Sequence, residues 1–389
     1  MKAISPERGE GVESAAETYS KRNYGIDLLR IISMIMIVTL HTVRQGRILY
    51  SAEQGTPYYT VVWIIEALCI GAVNLYAMIS GFVGVNSTKT RFYKLASMWL
   101  QVEFYCIIST IIIYCVSKEP FDFARLINRL TPVSTDTYWY FTSYFIMFFF
   151  TPFYNKLLSV LNSRQLKYLG VIIFVFSSFW PTVWQTDIME VNRGYSFLWL
   201  SLLYILGGIA KKLELHKKVN PYLMTAIFVL LMLLGAGFKF LSENCGWEIN
   251  DNNLLISYYS ANVLAGTFCL LLAAAKTDIK AKIPIKIIKT LAPLTFGVYI
   301  IHTSEYMWGY VLKDAFESYN TIGTFFMLLA VVGTSLGIYL GCSALDALRL
   351  ALFRLLKVDR FTSNMEIKIR SAVNRFAKKK ESVSMTDET

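Results

Sequence analysis

Charge is what this chain most lacks. Of its 389 residues only 17% are Asp, Glu, Lys or Arg, where a soluble domain carries about a quarter. That deficit excludes an ordinary water-soluble globule. In its place stand 55% hydrophobic and 15% aromatic residues and a mean hydropathy of +0.45. Cysteine is sparse and unpatterned. Cys69, Cys106, Cys115, Cys245, Cys269 and Cys342 show neither CxxC nor any other ligand spacing, so no disulfide framework and no metal site is expected. Five of the six lie in apolar segments, where Cys behaves as a small hydrophobe. No small-residue cleavage site follows the first apolar segment, which is too long for a signal-peptide core, so it reads as a retained helix. The net charge of +11 is spread in a way that argues against a nucleic-acid face.

What is present is a series of apolar stretches near the roughly 20 residues needed to cross a bilayer. They run over 24–44, 58–83, 95–117, 138–159, 168–184, 196–211, 221–241, 254–275, 291–311 and 321–345. The expected fold is all-α, a polytopic membrane protein of about ten transmembrane helices. With the N-terminus in the cytoplasm, the inside segments hold 29 Lys and Arg and the outside segments 7. That is the asymmetry the positive-inside rule demands, so both termini are expected in the cytoplasm of a multi-pass cell-membrane protein. The divisions are a tail over 1–22, a membrane domain over 23–345 and a basic tail over 346–389, with no second folded domain after the membrane unit. From Arg349 to Lys380 the tail mixes basic residues with Leu352, Phe353, Leu355 and Leu356. A stop-transfer flank is the preferred reading, and contact with anionic membrane lipid the other. The last nine residues read as disordered.

Ionisable side chains inside a span are costly and mark candidate sites. The first span holds Asp27, Arg30 and His41. Arg30 and His41 are eleven residues apart, about 1100° of turn and about 16 Å of rise, so they share one face, with His41 in the outer half. Asp27 lies one turn before Arg30 and can pair with it. The ninth span carries His302 at about the depth of His41, with Tyr299 and Glu305 at one-turn spacing beside it. Glu66 in the second span reaches a similar level, which predicts an outer cluster of His41, His302 and Glu66. The third histidine, His216, sits in a basic loop and is expected to be solvated. The bland alternative is that Arg30 snorkels to the interface and His41 only joins two helices.

Arg91 and Lys94 lie one turn apart at the start of the third span, as a pair that can hold phosphate or as a plain topology signal. The small residues Ser80 and Gly81 permit close approach of a helix or ligand. Gly333, Gly337 and Gly341 form a ridge read as a packing or homodimer face.

These residues, in order, resemble the acyltransferase-3 family of integral membrane O-acyltransferases. The run from Asn23 through Asp27 and Arg30 to His41 is similar to that family's opening R-x10-H signature. Leu75–Phe82 resembles its aromatic-rich Ser-Gly-Phe motif, and Arg91–Lys94 its R-x-x-R motif with Lys in the second place. Tyr138–Phe141 and Leu203–Gly207 look like its fourth-helix start and its Gly-ended helix, and Leu291–His302 like its late helix ending in histidine. The resemblance implies transfer of an acyl group from cytosolic acyl-CoA, with acetyl-CoA expected, to a hydroxyl of a cell-surface or lipid-linked glycan in a bacterial plasma membrane. It makes His41 and Arg30 the main catalytic candidates and Arg91 and Lys94 donor-binding residues, with Ser80 beside them. Lys94 lacks the guanidinium fork. His302 and Tyr299, either orienting His41 or stabilising the oxyanion, and Glu66 complete the candidate catalytic set. No metal is implied.

Two other classes compete. A transporter or flippase of a glycan-related substrate would also carry midplane charges, but the chain shows no convincing inverted repeat. A glycan polymerase would be expected to have one large outside loop, and here every outside loop is short.

Overall fold

The computed structural model describes residues 22–87, 91–117, 122–247 and 253–386. All but the last residue of the tail expected over 1–22 lies outside them, as do residues 387–389 of the nine read as disordered; 381–386 continue a helix. Among the described residues the regular structure is entirely helical. The main helices are α1 (Tyr24–Gln45), α2 (Pro57–Ile70), α3 (Ala72–Gly84), α4 (Phe92–Ser117), α5 (Phe123–Arg129), α6 (Trp139–Val160), α7 (Ser163–Phe174) and α8 (Phe197–Lys212). They continue with α9 (Pro221–Asn244), α10 (Ala261–Lys276), α11 (Lys282–Leu291), α12 (Thr295–His302), α13 (Thr324–Leu355) and α14 (Val358–Thr386).

Among the described residues seven stretches are long and apolar enough to cross a membrane: Tyr24–Gln45, Pro57–Gly84, Phe92–Val116, Ser163–Trp184, Pro221–Asn244, Lys282–His302 and Thr324–Leu355. Helices α6, α8 and α10 fall on the three remaining expected spans. The chain is an all-α polytopic membrane protein. Its helices run between two ends. The near end holds the start of α1 and the start of α4 with the part of α14 that packs on it; the far end holds Gln45, Trp139 and His302.

Small residues decide how closely the helices meet. Asn23 caps α1 by accepting the Ile26 N–H at 3.1 Å, and its side-chain amide donates to the Ala275 carbonyl of α10 at 2.9 Å. Gly25 lies directly against the Ala274 carbonyl, where any Cβ would collide. The crossing of α3 and α8 is reciprocal: a Cβ at Gly81 would strike the Tyr204 carbonyl, and one at Gly207 the Met78 carbonyl. This is the close helix approach that small residues allow in lipid. In α6, Pro152 removes a backbone donor, and the Thr151 hydroxyl donates instead to the Phe148 carbonyl at 2.8 Å, which restores a partner to the freed acceptor.

The near end has its own buried polar network. Asp346 accepts from Arg349 at 2.9 and 2.7 Å, from Gln101 at 3.0 Å and from Tyr105 at 2.8 Å. Gly297 leaves room for that carboxylate. The tail boundary expected at residue 346 therefore falls inside α13, with Asp346 and Arg349 packed in the bundle. His216, expected to be solvated, is 8% exposed and meets the Phe82 ring edge-on at 5.1 Å, because the turn carrying it packs against α8 and α10. The ridge of Gly333, Gly337 and Gly341 has no neighbour within Cβ reach among the described residues.

The α3–α8 contact predicts that Gly81→Val and Gly207→Val each overpack the crossing by on the order of 1–3 kcal/mol. Melting of the detergent-purified protein should show both variants less stable, while Gly333→Val melts like the parent. Equal melting of all three would remove the crossing as a constraint.

Candidate active site

Two histidines meet at the far end. His41 lies one turn before the end of α1, and His302 is the last residue of α12. His41 Nδ1 and His302 Nε2 are 2.9 Å apart, with ring centroids 5.0 Å apart. His302 is fully buried, and its Nδ1 lies 2.6 Å from the Val298 carbonyl one turn earlier in α12. A carbonyl oxygen only accepts, so His302 Nδ1 carries the proton and donates. In the neutral ring Nε2 is then the acceptor, and it receives the proton on His41 Nδ1. The neutral His41 ring is left with its lone pair on Nε2, which has no protein partner among the described residues. A main-chain carbonyl two steps away thus selects the tautomer of His41.

His41 is half-buried and lines a cavity of about 810 Å³. Trp308 forms the wall beside it, edge-on at 4.8 Å, and its carbonyl accepts from the Gln45 side chain at 2.9 Å. Aromatic side chains supply much of the remaining lining, among them Tyr138, Trp139, Tyr195, Tyr258 and Tyr299. Tyr299 packs edge-on to Tyr138 and Tyr140, and its ring centroid is 6.3 Å from that of His302. Such a cavity offers flat apolar faces with hydroxyl groups at their edges.

The third member of the expected outer cluster is elsewhere. Glu66 is fully buried in α2 and bonds Arg44, whose Nε donates to its Oε1 at 2.8 Å and whose Nη2 reaches the same oxygen. Glu66 therefore positions Arg44, three residues after His41 on α1, instead of joining the histidines. Arg44 lines the cavity. It reads in the sequence as an outside loop cation, although its spacing from His41 puts it on the same side of the helix. Glu305 does not flank His302 on a shared helix face. The helix ends at His302 with Thr303 as its cap, and beyond it the Glu305 carboxylate takes two 2.7 Å bonds from Arg129 at the end of α5. Arg129 and Trp308 also line the cavity. Nothing in the sequence pattern marks Trp308, because the π-helical turn Met307–Leu312 that places it is irregular.

The remaining candidates stand at the near end. Arg30 bonds Asp27 at 2.7 Å, and its carbonyl accepts from Tyr76 at 2.7 Å. Ser80 donates to the Tyr76 carbonyl at 2.9 Å. Arg91 and Lys94 are exposed at the start of α4, where the Glu366 carboxylate of α14 accepts the Tyr93 N–H at 2.8 Å. The structure thus separates the candidates into a histidine site at the far end and a basic site at the near end. Arg30 does not touch the histidines.

A family model described as an acyltransferase domain, that of the acyltransferase-3 family, matches residues 23–341. The matched span begins just before α1 and ends within α13, so it contains both histidines and both cationic positions. No match was found among curated proteins or among solved structures.

The Arg44–Glu66 pair predicts asymmetric effects on stability. Glu66→Gln leaves the cation without its counter-charge and should cost on the order of 2 kcal/mol, less than a fully buried pair because Arg44 keeps 30% exposure. Removing both charges, in Arg44→Met with Glu66→Leu, should recover most of that loss. Thermal melts of the single and double variants read this directly, and additive losses would show that the two side chains are not coupled.

Proposed function

The chain belongs to this acyltransferase-3 family and is a membrane acyltransferase, and from that premise we propose that it moves an acyl group, acetyl in particular, from cytosolic acyl-CoA to a hydroxyl of a cell-surface or lipid-linked glycan. The observation that carries this reading is the Val298–His302–His41 hydrogen-bond chain opening on an aromatic cavity. A histidine held with a free Nε2 is a general base for a hydroxyl. Aromatic walls edged with hydroxyl groups suit the apolar face and polar rim of a sugar ring.

His41 Nε2 takes the proton of the acceptor hydroxyl as that oxygen attacks the thioester carbonyl. The tetrahedral intermediate collapses with cleavage of the C–S bond, and the departing CoA sulfur recovers the proton from the His41 imidazolium. His302 keeps accepting from His41 Nδ1 throughout, which holds the ring in place through both proton transfers. The alternative is an acyl group carried first on His41 Nε2 and then passed to the glycan. Both routes use the same nitrogen.

The near end faces the cytosol of a bacterial plasma membrane in this reading, which the positive-inside distribution supports. Arg91 and Lys94 hold the CoA phosphates there, and Arg30 and Ser80 stand where the donor enters the bundle. The thioester reaches His41 between α1, α3 and α12. No metal takes part.

Replacing His41 separates chemistry from packing. His41→Gln keeps a hydrogen-bonding side chain but has no basic nitrogen, so acyl transfer should fall by about 10²-fold or more at unchanged membrane abundance. His302→Gln should lower kcat and leave the donor KM unchanged, since it disturbs only the orientation of His41. The assay is thiol release from acetyl-CoA in membranes carrying each variant. Substantial turnover by His41→Gln would reduce His41 to a packing residue.

A further inference from the structure

A second, smaller cleft lies beside the His41 cavity. It has a volume of about 230 Å³ and shares Arg44, Tyr50, Tyr195 and Tyr258 with the larger one. Its own walls add Arg193, Asn253, Ser257 and Tyr259. Such a lining does not suit a lipid tail, and its size suits one sugar ring better than a large group.

The wall that carries most of these groups is non-helical backbone held in place by side chains from the surrounding helices. Asn74 donates to the Tyr258 carbonyl at 2.7 Å, Ser178 to the Tyr259 carbonyl at 2.6 Å, and Asn262 to the Leu255 carbonyl at 2.9 Å. Asn74 is fully buried and also accepts from the Trp199 indole at 3.0 Å. Irregular backbone within a membrane protein persists where it is buried in protein or lines a cavity. The opposing segment is equally fixed. Gly194 adopts φ +95° with its Cα pressed on Tyr258, which seats Tyr195 against the Tyr258 ring at 4.9 Å.

Two polar atoms in these walls lack a protein partner among the described residues: the Asn253 side-chain carbonyl and the Trp63 indole N–H. Buried polar atoms of this kind call for a partner from outside the chain. Arg44 stands at the junction, its guanidinium oriented by Glu66 and still 30% exposed. An arginine held this way presents its remaining N–H groups in a fixed direction, suited to hydroxyl or acidic oxygens.

We propose that this cleft is a second sugar subsite and that the acceptor is an oligosaccharide lying across both cavities, with Arg44, Tyr195 and Tyr258 at the joint. This rests on the glycan-acceptor reading above and adds to it that a single sugar is an incomplete substrate. One unit sits at His41 and the neighbouring unit between Asn253, Ser257 and Tyr259.

The test uses the full-length protein in detergent micelles on an array of defined glycans from mono- to hexasaccharides. At least one oligosaccharide should bind ten or more times tighter than its constituent monosaccharide. Ser257→Trp, which fills the cleft, should reduce that advantage to less than threefold at an unchanged melting temperature. If the tryptophan lowers the melting temperature, Asn253→Leu takes its place, with the same loss expected. Monosaccharides bound as tightly as their oligomers, no glycan bound at all, or a length preference that survives both variants would each overturn the subsite. Thiol release in His41→Gln reads the transferase assignment separately. Its loss alongside length-independent binding sinks the subsite alone, and its persistence alongside length-dependent binding sinks the assignment of His41 alone.

Discussion

The 2.6 Å hydrogen bond between His302 Nδ1 and the Val298 carbonyl governs the chemistry available at the far end of this bundle. Because the acceptor is a main-chain carbonyl, it cannot exchange roles with the imidazole. The proton is fixed on Nδ1, the neighbouring nitrogen accepts from His41, and the lone pair of His41 is left on Nε2. The logic is that of any base oriented by a third group, except that the third group is a helix carbonyl one turn back and not a carboxylate. It demands that His302 lie in a helix and that α12 stop just after it, so that the chain can turn away and bring Trp308 to the other side of His41.

Around that point several of the bundle's charges are paired, whereas Glu103, midway along α4, has a buried Oε1 with no partner among the described residues. Glu66 and Arg44, Glu305 and Arg129, and Asp346 and Arg349 are each joined by hydrogen bonds, as suits ions inside a membrane. The pairs differ in what they do. Asp346 and Arg349 lie within one helix and satisfy each other with help from Gln101 and Tyr105, so they lock α13 to α4. Arg44 and Arg129 are each held by a carboxylate from another segment and present themselves at the cavity. The same physical need therefore yields a structural lock at one end and oriented cations at the other.

Separation of the two ends is the feature that most shapes the functional reading. The basic pair Arg91 and Lys94 and the histidine pair stand at opposite ends of the helices. In the proposed reading, a donor held at one and consumed at the other would have its reactive group carried through the bundle, which suits a long flexible arm ending in a thioester. The same reading leaves the acceptor on the far side, in an aromatic cavity beside the Tyr258 backbone that Asn74 pins.

Much of this was legible in the sequence, and for a definite reason. Hydropathy runs and the uneven Lys and Arg distribution reflect the solvent itself, lipid or water, so they mark helices without knowledge of packing. The helical period relates residues of one element, so the shared face of Arg30 and His41 and the matching depth of His302 could be read before any contact was known. What crosses between elements could not. Glu66 was expected with the histidines because its depth was right, but which residue it meets depends on the rotation of α2 about its axis, and that rotation turns it to Arg44. Glu305 was expected on the face of His302 because a helix was assumed to continue, whereas α12 ends at His302 with Thr303 as its cap. Trp308, the clefts and the coil over residues 253–260 exist only through side chains that meet across hundreds of residues of chain. Sequence alone determined the solvent, the helices and the histidines worth watching; tertiary structure decided their partners, because hydrogen bonds form between neighbours in space and periodicity constrains only neighbours along one helix.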